Sequence, residues 1–324
     1  MTTLTIARAL NEGLRKAMER DPKVLIMGED VGKLGGVFRV TDGLQKDFGE
    51  DRVIDTPLAE SGIIGTAIGL AMRGYRPVCE IQFDGFVYPA FDQIVSQLAK
   101  VHYRSQGRVR LPVTIRIPFG GGIGAVEHHS ESPEAYFVHT AGLKVVACSN
   151  AADAFFMVQQ AVAADDPVIF LEPKRRYWEK AEVDQTQTPD PLHIARIVRP
   201  GRDVTVAAYG PMVRVAMDAA SAAEDDGRSL EVIDLRTLSP LDLDPVLESV
   251  ERTGRLIVVH EAPTTLGLGA EIAARVTEQA FYLLEAPVLR VGGFDTPYPA
   301  SRMEEDYLPD LDRVLDAVDR SLAF

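Results

Sequence analysis

Short apolar runs that alternate with helical segments constrain the fold of this chain more than any other feature. Val24 to Met27 and Val53 to Asp55 are each too short for a helix, and each precedes a segment with helical spacing. The alternation continues through predicted strands at 77–83, 113–117, 145–149 and 168–172. Strands and helices in this order predict a mainly parallel sheet covered on both faces, which is an α/β fold.

A polar segment interrupts the alternation and marks a domain boundary. Residues 185–191 contain only Gln, Thr, Pro and Asp, a composition typical of a connection between domains. A second series of strands follows, predicted at 204–209, 230–235, 256–260 and 288–291. We therefore predict a first domain over residues 1–182, a linker over 183–200 and a smaller α/β domain over 201–324.

Charge and composition argue against several classes of protein. The net charge of −14 disfavours nucleic acid and anionic membrane surfaces as partners. No apolar run reaches the roughly 18 residues of a membrane span, and the N-terminus lacks the pattern of a signal peptide. Cys79 and Cys148 are too few for a disulfide framework. A cytoplasmic protein is therefore expected.

Two acidic residues are candidates for a functional site. Glu29 lies at the carboxyl end of a predicted strand, where open α/β folds place ligands. Glu60 stands near the start of a helix rich in small residues at 62–72. Partial burial there would raise its pKa and suit it to share a proton with a ring nitrogen. A carboxylate stabilised by the helix dipole is the alternative, and the pattern alone favours it.

A histidine pair is the next candidate. His128 and His129 follow the glycine-rich loop Gly120 to Gly124, which indicates a mobile active-site element. Metal binding is disfavoured because adjacent side chains seldom chelate one ion. A hydrolase using Ser130 is disfavoured because no Gly-x-Ser-x-Gly motif is present. Glu261, at the end of a strand in the second domain, is equally well explained as a surface residue.

Ordered motifs along the chain resemble the β subunits of 2-oxoacid dehydrogenases. The first domain carries Gly28-Glu29-Asp30-Val31-Gly32, Asp55-Thr56-Pro57-Leu58-Ala59-Glu60, Glu80-Ile81-Gln82-Phe83, Ala90-Phe91-Asp92-Gln93 and His129-Ser130. Further matches are His139-Thr140-Ala141-Gly142-Leu143, Leu235-Arg236-Thr237-Leu238 and Gly293-Phe294-Asp295-Thr296-Pro297. The resemblance implies a transketolase-like pyrimidine-binding domain followed by a smaller transketolase C-terminal-type α/β domain.

The resemblance also implies the chemistry. Glu60 would contact the aminopyrimidine ring of thiamine diphosphate and favour the imino tautomer, whose nitrogen removes the thiazolium proton. The carbanion would attack a 2-oxoacid, carbon dioxide would leave, and the acyl group would pass to lipoyl-lysine on an acyltransferase core. His129 would face the substrate and lipoyl channel as a proton donor or positioner. The implied contacts to the cofactor are Glu29, Leu58, Glu60, Phe83 and Phe86.

Metal ions and partner subunits follow from the same resemblance. A structural potassium ion is implied at Val113, Thr114, Ala164 and Asp166, although Ala164 stands where a carboxylate often occurs. The Gly-Asp-Gly motif that begins the magnesium-diphosphate site of these enzymes is absent. Magnesium and diphosphate are therefore expected on an α subunit, in an α2β2 heterotetramer. The acidic second domain is the expected docking surface for the acyltransferase core.

Substrate choice and two alternative functions stay open. By the same resemblance, a branched-chain 2-oxoacid is favoured over pyruvate by Glu172-Pro173-Lys174, by Arg175-Arg176-Tyr177 after it and by the segment 293–299. Glu127 and Glu131 depart from the family pattern, and we expect this acidic pair to raise the pKa of His129 or to alter substrate preference. The alternatives are a noncatalytic assembly subunit and a self-sufficient transketolase-like enzyme; the missing diphosphate motif argues against the second.

Overall fold

The computed structural model describes residues 1–324. The first part of the chain alternates strands and helices as predicted. In chain order the elements are β1 (Thr2–Thr5), α1 (Ile6–Arg20), β2 (Val24–Gly28), α2 (Leu44–Phe48), β3 (Val53–Asp55), α3 (Glu60–Met72), β4 (Arg76–Glu80), α4 (Val101–Arg104), β5 (Thr114–Phe119), α5 (Glu134–Val138), β6 (Lys144–Ala147), α6 (Ala151–Ala163), β7 (Val168–Pro173) and β8 (Lys180–Val183).

The second part repeats the alternation with fewer strands. Its elements are β9 (Arg196–Arg199), β10 (Val204–Ala208), α7 (Met212–Asp225), β11 (Leu230–Asp234), β12 (Thr237–Ser239), α8 (Asp244–Thr253), β13 (Leu256–Pro263), α9 (Leu268–Ala280), β14 (Leu289–Gly293), α10 (Glu304–Tyr307) and α11 (Leu311–Leu322).

Two large sheets organise the molecule. The first has seven strands in the order β12-β6-β7-β5-β4-β2-β3, and all neighbours are parallel except β12 and β6. The second has five strands in the order β14-β13-β10-β11-β9, and only β9 is antiparallel to its neighbour. The predicted α/β class with mainly parallel sheets is therefore confirmed.

Two edge strands differ from the simple two-domain picture. Arg196–Arg199, in the predicted linker, pairs with β11 and belongs to the second sheet. Thr237–Ser239, from the second half of the chain, pairs with β6 and closes one edge of the first sheet. The two halves are thus joined by strand pairing as well as by packing.

Helix α1 shows how the sequence produces the local structure. Thr5 caps it by accepting a hydrogen bond from the amide of Arg8 at 3.2 Å. Leu10 and Leu14, one turn apart, are fully buried in a core that also contains Phe155 of α6. No helix in the molecule is both long and apolar enough to cross a lipid bilayer.

Candidate active site at the carboxyl edge of the first sheet

Most of the predicted site residues gather where neighbouring parallel strands end. Parallel strands present their carboxyl ends at one edge, and ligands of open α/β sheets bind there. The candidates follow four of these strands: Glu29 after β2, Glu60 after β3, Phe83 and Phe86 after β4, and His129 after β5. The predicted potassium ligands are not part of this group, because Thr114 begins β5 and Ala164 follows α6.

Glu29 and Glu60 form a pair of interacting carboxylates. Their residues are 8% and 7% exposed, and Oε1 of Glu29 has no hydrogen-bond partner. Burial raises the pKa of Glu29, and the negative charges of Glu60 and Asp30 raise it further. A buried acceptor without a donor is costly, so this corner is suited to a ligand that brings hydrogen-bond donors.

Leu58 lies at the surface of this chain. It precedes α3 by two residues, and its side chain is 80% exposed. An exposed leucine beside a buried carboxylate fits a surface that another chain or a ligand covers. Its predicted contact with the cofactor stays a prediction.

His129 is packed between two aromatic rings. Its ring centroid lies 4.3 Å from that of Phe83 and 5.1 Å from that of Phe86, both in edge-to-face geometry. The His128 ring is 4.5 Å away. Phe83 and Phe86 therefore both pack directly against His129.

The expected rise in the pKa of His129 is wrong. Burial lowers this pKa, and the positive charges of His128 and Lys174 add to the effect, whereas Glu127 opposes it. The carboxylate of Glu131 instead accepts a hydrogen bond from the hydroxyl of Tyr88 at 2.6 Å. These effects together favour the neutral form of the His129 imidazole.

A buried ion pair lies beneath this histidine. Lys174, which follows β7, pairs with Asp84, and both side chains are inaccessible to solvent. The other oxygen of Asp84 accepts the backbone amide of Glu131 at 2.5 Å, and Nζ of Lys174 lies 5.8 Å from the Phe83 ring centroid. Burial raises the pKa of Asp84 to about 6 against the opposing effect of Lys174. The pair thus ties the histidine loop to the sheet.

Glu172 belongs to a second buried network. Arg116 on β5 donates to Glu172 at 2.7 and 2.9 Å and to Glu80 at 2.6 Å, and the hydroxyl of Tyr177 donates to Glu172 at 2.5 Å. The segment that favoured a branched-chain substrate therefore supplies internal ion pairs. Its side chains Glu172 and Lys174 do not discriminate between substrates by direct contact.

The glycine loop after β5 is held by residues of the second half of the chain, which the sequence did not single out for this role. Glu261 accepts the amide of Gly121. Glu304 accepts the amides of Gly122 at 2.8 Å and Gly124 at 2.9 Å. Glu261 is 3% exposed, which rules out a surface position, one of the two explanations that the sequence left open.

With this geometry in view, comparison with known proteins identifies the family. The descriptions "Transketolase, pyrimidine binding domain" and "Transketolase, C-terminal domain" match residues 2–179 and 194–314. A pyruvate dehydrogenase E1 component subunit beta from Leifsonia xyli subsp. xyli is 64% identical over 99% of this chain and 96% of its own length. The chain belongs to the family of 2-oxoacid dehydrogenase E1 β subunits.

Two further proteins agree with this assignment. A 3-methyl-2-oxobutanoate dehydrogenase subunit beta from Mycobacterium tuberculosis (strain H37Rv) is 57% identical to this E1 β chain over 99% of its residues and 92% of the relative. A split gene transketolase, solved as an inactive beta4 tetramer, shares the fold with a TM-score of 0.81 at 24% identity, covering 99% of this chain and 98% of that one. The predicted transketolase-like fold is confirmed.

The carboxyl edge of this E1 β chain fits the pyrimidine half of thiamine diphosphate. An aminopyrimidine ring is flat and carries N–H donors, and the edge offers the unpartnered Oε1 of Glu29, the buried Glu60 and the half-buried rings of Phe83 and Phe86. Two cations at this edge, Arg116 and Lys174, are already paired internally, and no cluster of three His, Cys, Asp or Glu residues could hold a metal ion.

The predicted potassium ligands already have partners in this E1 β chain. The carbonyl of Ala164 accepts a hydrogen bond from Arg76 at 2.9 Å, and the carbonyl of Val113 accepts a backbone amide at 2.9 Å. Asp166 pairs with Lys144 at 3.0 Å. The Arg76 guanidinium supplies a positive charge at this turn, so the residues as they stand do not form an open ion cage. The ion stays a prediction.

Proposed function

We propose that the chain acts in the thiamine-diphosphate-dependent oxidative decarboxylation of a 2-oxoacid, with transfer of the acyl group to lipoyl-lysine. The observation that carries this proposal is the half-site. Buried acidic groups and half-buried aromatic rings suited to a pyrimidine ring meet at one sheet edge. At the same edge, Arg116 and Lys174 already form ion pairs with carboxylates of this chain. The chain therefore activates a cofactor whose diphosphate and Mg²⁺ are held by an α subunit, in an α2β2 heterotetramer.

Each residue of the half-site has a role that follows from its surroundings. Bound thiamine diphosphate supplies the electron sink for the loss of carbon dioxide. Glu60, fixed at the first position of α3, holds a proton at the pyrimidine ring, and Glu29 beside it accepts a ring donor. Phe83 and Phe86 exclude water from this corner. His129, whose neutral form is favoured by burial, donates a hydrogen bond to the substrate or to the arriving lipoyl group.

The second half of the chain carries features suited to a basic partner. Residues 201–324 hold 23 of the 48 acidic residues but only 11 of the 34 basic ones. Phe281 and Tyr282, at the end of α9, are 62% and 97% exposed, so apolar surface lies within the acidic region. We propose that the lipoyl acyltransferase core docks here. The cytoplasm stays the predicted compartment, with both cysteines free and buried.

The substrate is proposed to be a branched-chain 2-oxoacid first and pyruvate second. The names of the relatives support both, because a pyruvate enzyme subunit and a 3-methyl-2-oxobutanoate enzyme subunit each align over nearly the whole chain. Ratios of kcat/KM for 3-methyl-2-oxobutanoate and pyruvate decide between them. We expect a ratio above one, and a preference for pyruvate would reverse the order.

Reconstitution tests the proposed reaction. The chain is combined with its α subunit, and carbon dioxide release from carboxyl-labelled 2-oxoacids is measured with and without a lipoyl acceptor. We expect turnover by the complex, and a loss of roughly a hundredfold or more in E60Q, because proton exchange at the ring is a general acid–base step. E50Q removes an exposed carboxylate and serves as the matched control.

Three outcomes separate the candidate functions. Turnover by the complex, abolished by E60Q but not by E50Q, supports the proposal. A complex that assembles without releasing carbon dioxide from any 2-oxoacid supports the noncatalytic assembly subunit instead. Turnover by the chain without any α subunit supports the self-sufficient transketolase-like enzyme.

A further inference from the structure

The loop over residues 120–131 carries His129 and meets residues of the second half of the chain. Glu304, the first residue of α10, uses both carboxylate oxygens: Oε1 accepts the amide of Gly122 at 2.8 Å and Oε2 accepts the amide of Gly124 at 2.9 Å. Glu261 on β13 accepts the amide of Gly121 through Oε1 alone. Three nearly consecutive amides of the histidine loop are therefore bound by carboxylates from outside the first domain.

The glycines of the loop are what admit these contacts. Gly120, Gly122 and Gly124 have φ angles of +80°, +84° and +72°, which side-chain-bearing residues rarely adopt. A Cβ atom at Gly121 would collide with the hydroxyl of Tyr298. That hydroxyl donates to Glu304 at 2.6 Å and lies 3.2 Å from the amide of Gly122. The loop and its carboxylate partners thus fit closely together.

Burial shows that these bonds are not incidental surface contacts. Glu261 and Glu304 are 3% and 7% exposed, and neither carboxylate is within ion-pair distance of a cation. Removing a carboxylate from water is costly unless hydrogen bonds replace its hydration. Here backbone amides of the loop provide much of that replacement, so the carboxylates and the loop conformation depend on each other.

The far end of the loop is anchored to the first domain. The amide of Gly120 donates to the carbonyl of Glu131 at 2.8 Å, which closes the loop on itself. The amide of Glu131 donates to Asp84, and the amide of His129 donates to the carbonyl of Val126 at 3.0 Å. A displacement at Gly122 is therefore transmitted to His129 over a short, closed segment.

We infer that Glu261 and Glu304 are positioning residues that hold His129 in place for the acyl-transfer reaction. This inference rests on the proposed function, because it assumes that His129 acts in that reaction. On this inference, the second half of the chain contributes to the active site as well as providing the proposed docking surface. Glu304 bears most of the effect, since both of its oxygens are engaged.

The different use of the two carboxylates provides a test by conservative substitution. Glutamine offers one acceptor oxygen and one NH2 donor group. At position 304 it would place that donor against the amide of Gly122 or Gly124, so one of these two hydrogen bonds is lost. At position 261 its oxygen can keep the single bond to Gly121, because Oε2 of Glu261 has no partner. Both variants replace a carboxyl group by an amide of nearly the same size.

The experiment uses the α2β2 complex with the variant β chains and measures lipoyl-domain acylation. We expect E304Q to lower kcat roughly ten- to a hundredfold, because small misplacements of a reacting group have effects of that size. E261Q is expected to stay within about twofold of the wild type. E305Q, which removes the exposed carboxylate next along α10, is the matched control and should be unchanged.

A double-mutant cycle with H129A separates positioning from general destabilisation. If Glu304 acts through His129, the double variant H129A/E304Q loses no more activity than H129A alone. Y298F is the second variant: it keeps the ring but removes the hydroxyl that donates to Glu304. It should reduce the acylation rate less than E304Q does, and this reduction should again be absent in the H129A background. Hydrogen exchange of the amides at 121–124 should be faster in E304Q.

Clear results overturn the inference. The inference fails if E304Q and Y298F acylate the lipoyl domain at the normal rate in an active complex. It also fails if their losses of activity add fully to the loss caused by H129A. If the wild-type complex released no carbon dioxide from any 2-oxoacid, the proposed function itself would fail, and this is seen before any variant is compared.

Discussion

At the residue scale, the candidate site depends on side chains that come together from distant parts of the chain. Glu60 could be placed because a strand, a turn and a helix start follow one another within a few residues. Asp84, Lys174 and Glu304 could not, because their partners lie 47 to 182 positions away in the chain. Periodicity carries no information about such distant contacts. The direction of the His129 pKa was mispredicted for the same reason.

The first prediction concerns the charge environment of His129. The positive charge of His128 lowers the pKa of His129, so H128N should raise that pKa. A reaction that needs neutral His129 is lost as pH falls through this pKa, and the acid limb of the kcat/KM profile should therefore move to higher pH. NMR titration of the His129 ring measures the same shift directly.

His102 provides the control for this titration. It lies on α4 and contacts the carbonyl of Val109 at 2.9 Å, outside the aromatic cluster around His129. H102N should leave both the pKa of His129 and the pH profile of kcat/KM unchanged. An unchanged or lowered pKa of His129 in H128N would contradict the electrostatic account.

At the scale of elements, strands and helices with strong periodicity were predicted within a few residues, and the exceptions have physical causes. Strand β12 has only three residues, and its pairing with β6 spans the boundary between the two halves. The segment after β4 forms no regular α-helix but a 3₁₀ turn, Asp84–Ala90, followed by a π-helical turn, Gln93–Leu98. Pro89 lies within the first of these turns and lacks the N–H that a regular helix needs there.

The second prediction concerns the 3₁₀ turn that faces the histidine loop. A Cβ atom at Gly85 would collide with the backbone of His128. G85A should therefore displace the loop and reduce lipoyl acylation roughly tenfold or more, with a much smaller effect on the melting temperature. Acylation kinetics and thermal unfolding of the same preparation measure the two effects.

Gly74 offers the control for G85A. It also lies in a turn, and nothing lies within 4 Å of a Cβ placed there, although its φ of +86° makes any side chain somewhat strained. G74A should lower the melting temperature slightly and leave acylation unchanged. Wild-type acylation in G85A would show that the turn and the loop are not coupled.

At the scale of the whole molecule, the boundary between the halves is rich in buried acids. Glu134, at the start of α5, accepts the hydroxyl of Tyr209 from the second half at 2.6 Å and is fully buried. Burial raises its pKa to about 7. The two-domain plan was predictable from the repeated strand–helix order, whereas this chemistry of the boundary was not, because it depends on how the halves pack together.

The third prediction follows from the raised pKa of Glu134. Between the ordinary value of 4.5 and about 7, the folded state keeps the proton and the unfolded state loses it. Stability therefore falls as pH rises through this window, and the cost is fully present above pH 7. E134Q keeps an acceptor for the Tyr209 hydroxyl. It should restore the free energy of unfolding that the wild type loses above pH 7, which is roughly 3 kcal/mol at most.

Thermal unfolding at several pH values measures this effect. E134Q should melt at a higher temperature than the wild type at pH 8 and at a similar temperature near pH 4. The exposed Glu127 gives the matched control, because E127Q should have the melting temperature of the wild type at both pH values. A difference in melting temperature between E134Q and the wild type that stays constant across pH would contradict the raised pKa of Glu134.

The central claim is that this chain holds one half of a thiamine diphosphate site. Calorimetric titration of thiamine diphosphate and Mg²⁺ into the isolated chain, the isolated α subunit and their complex tests it most directly. We predict no saturable binding to the isolated chain, binding to the complex at one cofactor per αβ pair, and weaker binding to a complex that carries E60Q. Saturable binding of the cofactor to the isolated chain would contradict the claim.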